Sequence, residues 1–232
     1  MEFFDSLIKQ ALELTQGLAE VNYDYDADKA WKDAGGNQVI LQRDTAFEIS
    51  GTGFNLITSS PVKDGITVIG DDLGDIKDNR KFTRVTLVQI EEPEQQQKTY
   101  NLIRKIEYVK YHYFPDGYMI RTSSRAHKEA VRVSKDSLKK GISFSGVGNL
   151  LIGKYKENPA VKGVRVIFIT SPEADHKTFE AMAEKNNNIT ETLNHVMNSV
   201  NFDCNTCNLK PICDEVDGMR ELHFKTGTMK EE

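Results

Sequence analysis

The residues best suited to chemistry are gathered in "DCNTCNLKPICDEVDGMRELHF", Asp203 to Phe224. All three cysteines of the chain, Cys204, Cys207 and Cys213, lie here, and His223 follows. The spacing is C-x2-C-x5-C-x9-H. Two thiolates separated by two residues reach the same side of a tight turn, and more distant donors complete a tetrahedral set. The surrounding Asp203, Asn205, Asn208, Lys210, Asp214 and Glu215 make a polar loop and not a core strand, which argues against cysteines serving as small hydrophobes. A redox dithiol needs a strand, the C-x2-C pair and a helix in succession; here the pair follows a helix and a third thiol lies close by. That leaves a metal site, either zinc held by three cysteines and one histidine or an iron–sulfur cluster, and spacing does not choose between them.

Other candidates are weaker. Arg121, Arg125, Lys128, Arg132, Lys135, Lys139 and Lys140 form a basic series in a chain of net charge -5. A solvated charged face is its plainest explanation. Asp71, Asp72, Asp75 and Asp78 form an acidic turn without the alternating spacing and terminal glutamate of a calcium loop. His112, His127, His176 and His195 show no metal-ligand pairing. There is no P-loop, dinucleotide glycine fingerprint or nucleophile elbow, and "GVGN" at Gly146 is too short to mark a phosphate site.

The elements that must position the cysteines follow from periodicity and turn chemistry. An amphipathic helix is predicted at the N-terminus from Phe4, Leu7, Ala11, Leu14 and Leu18, followed by a Tyr/Asp-rich connector, so that residues 1–34 form a leading segment and 35–232 one α+β domain. The runs "QVILQ", "AFEIS", "FNLITS", "ITVIG", "FTRVTLVQI", "YNLIRKIEYVKYHYF" and "GYMIRTS" read as strands, an antiparallel β-rich first half, with "EEPEQQQK" as a hairpin loop. From Ser134 the texture becomes α/β: short helices at "SKDSLKKG" and "VGNLLIGKYKENP", a buried strand at "GVRVIFIT", a helix capped by Ser171 and opened by Pro172, and a further helix at "TETLNHVMNSV". The cysteine segment, residues 203–224, is then an appended metal-binding loop.

At 232 residues the chain can bury a sizeable core. Its acidity argues against nucleic acid as a partner, and no apolar run reaches membrane-spanning length. Glu2, Asp5 and Lys9 argue against a signal peptide. Clustered, odd-numbered cysteines fit a reducing compartment, so a cytoplasmic protein is expected.

From about Ala46 to Phe224 the sequence resembles the middle region of the acetyl-CoA synthase (beta) subunit of the CO dehydrogenase/acetyl-CoA synthase complex. The pieces that carry the resemblance are "AFEI", "DGITVIGDDLGDI", "RVSKDSLKKGISF", "GNLLIGKYKENPAVKGVRVIFIT" and the cysteine segment, in order and at matching intervals. The resemblance implies a [4Fe-4S] cluster, with Cys204, Cys207 and Cys213 at the first three ligand positions and His223 where a fourth cysteine belongs. The second gap is a few residues shorter than in the family. Imidazole in place of a thiolate removes one negative charge and raises the expected reduction potential. The resemblance also makes Arg121, Arg125 and Arg132 candidates for a coenzyme A or other anion site. No Cys-x-Cys occurs, so nickel is not expected from this chain alone. Any activity as a CO-methylating acetyl-CoA synthase (acyltransferase) subunit is expected to need a partner chain. Expected partners are CO dehydrogenase/acetyl-CoA synthase components, a corrinoid protein or a ferredoxin, in anaerobic one-carbon metabolism. The alternatives are an electron-transfer or regulatory iron–sulfur module and a zinc-stabilised interaction domain.

Overall fold

In a computed structural model, residues 3–91, 96–123, 128–197, 207–216 and 219 are described. Seven strands form one mixed sheet: β1 (Glu20–Asp24), β2 (Thr45–Thr58), β3 (Gly65–Ile69), β4 (Arg80–Ile90), β5 (Tyr118–Ser123), β6 (Lys128–Ser134) and β7 (Val161–Ile169), in the order β1-β3-β7-β4-β2-β6-β5. Among the described residues six α-helices accompany it: α1 (Asp5–Thr15), α2 (Gln96–Tyr108), α3 (Lys135–Lys139), α4 (Phe144–Lys156), α5 (His176–Met197) and α6 (Lys210–Glu215).

The chain is α+β, but its two halves do not separate into an antiparallel unit and an α/β unit. β7 lies between β3 and β4, and two pairings are parallel, β2 with β4 and β3 with β7. Parallel neighbours need a crossover of a dozen or more residues. The excursion through β3 supplies that length between β2 and β4. The expected strands at "AFEIS" and "FNLITS" are one continuous strand, β2, which pairs with β6 along its first half and with β4 from Ile49 onward.

Adjacent strand residues point to opposite faces. On one face α4 lays Phe144 against Phe168, with ring centroids 4.5 Å apart, and against Phe82 at 6.0 Å. On the other, α5 meets β4 through His176 and Thr83, and Phe179, Met182, Ala183, Ile189 and Leu193 are buried. Phe4, Leu7 and Ala11 bring α1 into the same core.

Three local expectations are corrected. "YNLIRKIEYVKYHYF" is rich in β-branched and aromatic residues, yet it folds as α2 and a 3-10 turn. Thr99, Leu102, Ile103 and Ile106 recur at three- and four-residue steps and are buried together. The two helices expected after Ser171 are one 22-residue helix, α5. Its first turn is capped by Asp175, which accepts from the Thr178 backbone N–H at 3.0 Å, while Ser171 accepts from Glu173 in the preceding turn. "QVILQ" forms no strand, and Gln42 opens a 3-10 turn instead.

Candidate functional site

Cys207 and Cys213 are both half-buried and are not in a disulfide. Cys207 precedes α6, its carbonyl accepting from the Lys210 backbone N–H at 3.2 Å, and Cys213 lies within α6. Pro211 stands in the first turn of α6, where a missing N–H does no harm. Ile212, Val216 and Met219 are buried in the main core, and Lys185 of α5 pairs with Glu215 at 3.0 Å. The helix is therefore docked on the body of the protein, with Cys213 packed against the core's margin. Cys204 and His223 lie outside the described residues, as does Arg125. Among the described residues no group of three or more His, Cys, Asp or Glu side chains is placed to hold a metal.

The basic series disperses. Arg121 and Arg132 converge on Glu48, at 3.0 and 2.7 Å. Arg132 also donates to the Ile40 carbonyl at 2.9 Å, so it ties the chain before β2 to β6. Lys135 donates to the Arg43 carbonyl and Lys140 pairs with Asp136. Arg121 in addition lines a cavity of ≈380 Å³ with Lys110, Tyr111, Phe114 and Tyr118. Of these, sequence reasoning singled out only Arg121. Lys110 and Tyr111 sit in the segment that was expected to be a strand, and their place beside β5 has no local signature.

The acidic turn serves the fold. Asp72 accepts from the Phe144 and Leu73 backbone N–H groups, both at 2.6 Å, and so adds to the N-cap that Ser143 gives α4; burial raises its pKa against the pull of those bonds. Asp71 and Asp78 pair with Arg80 at 2.5 and 3.2 Å. His176 is buried, its Nδ1 2.9 Å from Thr83 Oγ1 and its Nε2 3.1 Å from the Ser171 carbonyl; burial lowers its pKa.

Inside the sheet lies a polar network that no sequence pattern announces. Arg84, 3 % exposed, donates Nε to Glu129 Oε1 at 3.0 Å and Nη2 to Glu129 Oε2 at 2.8 Å, with Glu129 2 % exposed. Its Nη1 donates to Thr86 Oγ1 and Asn55 Oδ1, and Asn55 also receives the Tyr155 hydroxyl at 2.8 Å. Burial opposes the Arg84 charge, but the facing Glu129 carboxylate outweighs it and holds the guanidinium firmly protonated. Burial also keeps the phenols of Tyr113, Tyr118 and Tyr155 neutral by pushing them up. Gly53 makes room for the pair: a Cβ there would stand 1.9 Å from Glu129 Oε2.

The fold and its flank thus define an α+β domain that carries a thiol-bearing helix docked on the middle of α5. A family model for the CO dehydrogenase/acetyl-CoA synthase complex beta subunit matches residues 34–174, more than half of the chain, and the protein belongs to that family. The cysteine segment follows the matched residues. No curated protein matches the sequence. Among the described residues, no helix is long and apolar enough to cross a membrane.

Proposed function

We propose that this chain acts as an acetyl-CoA synthase-like iron–sulfur protein in a CO dehydrogenase/acetyl-CoA synthase complex, with Cys204, Cys207, Cys213 and His223 holding one [4Fe-4S] cluster. The observation that carries the reading is the pairing of family membership over residues 34–174 with a thiol-bearing α6 packed on the same core. The donor chemistry fits such a group. Half-buried thiols beside a polar loop can be reached by an inorganic cluster, whereas fully buried cysteines are inert. When bound, the cluster supplies one-electron chemistry. The chain's own contribution is to hold the ligand loop against α5 through Ile212, Val216 and the Lys185–Glu215 pair. Other components of the complex, a corrinoid protein or a ferredoxin are the partners this role calls for. The same donor set suits zinc, which would make the segment a structural clasp.

The test is metal and acid-labile sulfide analysis of anaerobically purified protein, with spectra before and after dithionite, repeated for His223→Ala. About four iron and four sulfide per chain, bleached by reduction, are expected, with lower occupancy or a changed spectrum in the variant. One zinc and no sulfide in protein never exposed to air would refute the iron–sulfur assignment.

A further inference from the structure

β2 keeps β6 as a neighbour only as far as the Thr52–Lys128 pairing, and from Gly53 onward it pairs with β4 alone. Beside that break lies a second, smaller cavity of ≈130 Å³. Its lining includes Gly53 and Phe54 of β2, Glu107 and Lys110 around the end of α2, and Asn186 and Thr190 of α5.

Asn186 is the unusual member. It is 4 % exposed, and among the described residues its Oδ1 has no hydrogen-bond partner. Buried polar atoms are nearly always bonded, because an acceptor stripped of water costs free energy. The other polar groups of the lining are engaged in part. Thr190 donates its hydroxyl to the Asn186 carbonyl at 3.1 Å, and Asn187 donates its amide to Glu191 at 2.9 Å. Glu107 is oriented by Asn55 Nδ2 at 3.1 Å, and Lys110 meets its other carboxylate oxygen at 3.5 Å. A carboxylate accepts at both oxygens and an ammonium carries three donors, so each keeps spare capacity. The cavity thus offers two acceptors, Asn186 Oδ1 and Glu107, and one donor, Lys110, whose charge cancels that of Glu107.

We propose that this cavity binds a small neutral molecule carrying a primary carboxamide. The amide N–H groups answer Asn186 Oδ1 and Glu107, and the amide carbonyl accepts from Lys110. A carboxylate of the same shape gives Asn186 no donor and sets a second negative charge beside Glu107. An amidinium of the same shape gives Lys110 no acceptor and sets a second positive charge beside it. Size sets the upper limit. A cavity of about 150 Å³ holds benzene, so acetamide or propionamide fits and a peptide does not. The inference rests neither on the cluster nor on the thiols.

The experiment is backbone NMR titration of the full chain with acetamide, beside its isosteres acetate and acetamidinium. Saturable shifts at the Gly53 and Phe54 amides are expected with acetamide at roughly millimolar concentration, as so few heavy atoms allow. Both ions should bind at least tenfold more weakly. Asn186→Leu should lose the acetamide response while Tm holds or rises, since it removes an unanswered buried acceptor. Thr190→Met, which narrows the cavity from a half-buried position, should lose the response with Asn186 in place. Absence of saturable shifts overturns the proposal, as do equal binding of either ion and an acetamide response undiminished by Asn186→Leu. No response in wild type together with a Tm lowered by more than a few degrees in Asn186→Leu would assign Oδ1 to an ordered water that serves the fold, and equally overturns it.

Discussion

At the scale of single residues, Arg84 and Glu129 carry the largest consequence. Removing one partner of a buried ion pair leaves the other charge uncompensated, which costs about 3–5 kcal/mol. Glu129→Ala should therefore lose stability of that order in urea unfolding, and the loss should exceed that of Thr86→Val, which removes only one acceptor of Arg84. His176 makes stability depend on pH. Its folded pKa lies below the unfolded 6.5, chiefly because burial disfavours the imidazolium. Its contribution is fully present above pH 6.5, and it is lost as pH falls from there through the lower folded value, where the unfolded chain binds the proton first. The titratable groups facing the ring are Lys81, which adds to the lowering, and Glu180 and Asp175, which oppose it. In thermal melts from pH 7.5 to 5, wild type should lose more than His176→Gln over that window.

At the scale of elements, the loop entering β5 is held by a glycine for two separate reasons. Gly117 has φ +70, and a Cβ there would lie 1.7 Å from Ser137 Oγ and 2.6 Å from Ser134 Oγ. Ser134 caps α3 by accepting from the Ser137 N–H. Gly117→Ala should thus cost more than the roughly 1–2 kcal/mol of left-handed backbone alone. Adding Ser137→Ala should return only part of the loss, since it removes the Oγ but leaves the Cβ at 137 and Ser134 Oγ, each 2.6 Å away, as well as the strain. Denaturant midpoints of the single and double variants decide this.

Elements with caps and clean periodicity were legible in the sequence. Ser134 before α3, the buried run of β7 and the apolar face of α1 each declare themselves within a few residues. α2 was not legible as a helix, because Tyr100, Ile103, Ile106, Tyr108 and Val109 satisfy a strand's composition and a helix's spacing together, and only burial separates the two. The union of β2 from two expected strands was hidden by Gly51 and Gly53, since glycine weakens a strand pattern. They serve instead as close approaches, to the Phe82 backbone and to the Arg84–Glu129 pair. At the site, the thiols were visible by type and spacing. The cleft along β5 was not, because Asn37, Lys110 and Arg121 meet only through tertiary packing.

At the scale of the whole molecule, α5 links the sheet to the thiol-bearing segment. Phe179 is fully buried where α5 meets the sheet. Phe179→Ala should cost about 3–5 kcal/mol; on the cluster assignment proposed above, metal occupancy should also fall in protein that is still folded by circular dichroism, because a loosened α5 holds α6 less well. Metal content measured per folded chain checks this; full occupancy in the variant would show that the loop needs no support from α5.

A 22-residue helix is also long, about 33 Å. Its base is anchored where His176 bonds Thr83 of the central strand β4, and Asp175 caps its first turn. Such a rod amplifies angle into displacement: a tilt of about 5° at the base moves the tip by roughly 3 Å. The proposed cluster would need its metal–thiolate distances held to about 0.2 Å. The buried row from Phe179 to Val196 therefore sets where α6 lies, docked beside Lys185 about midway along the rod, as much as it fills the core.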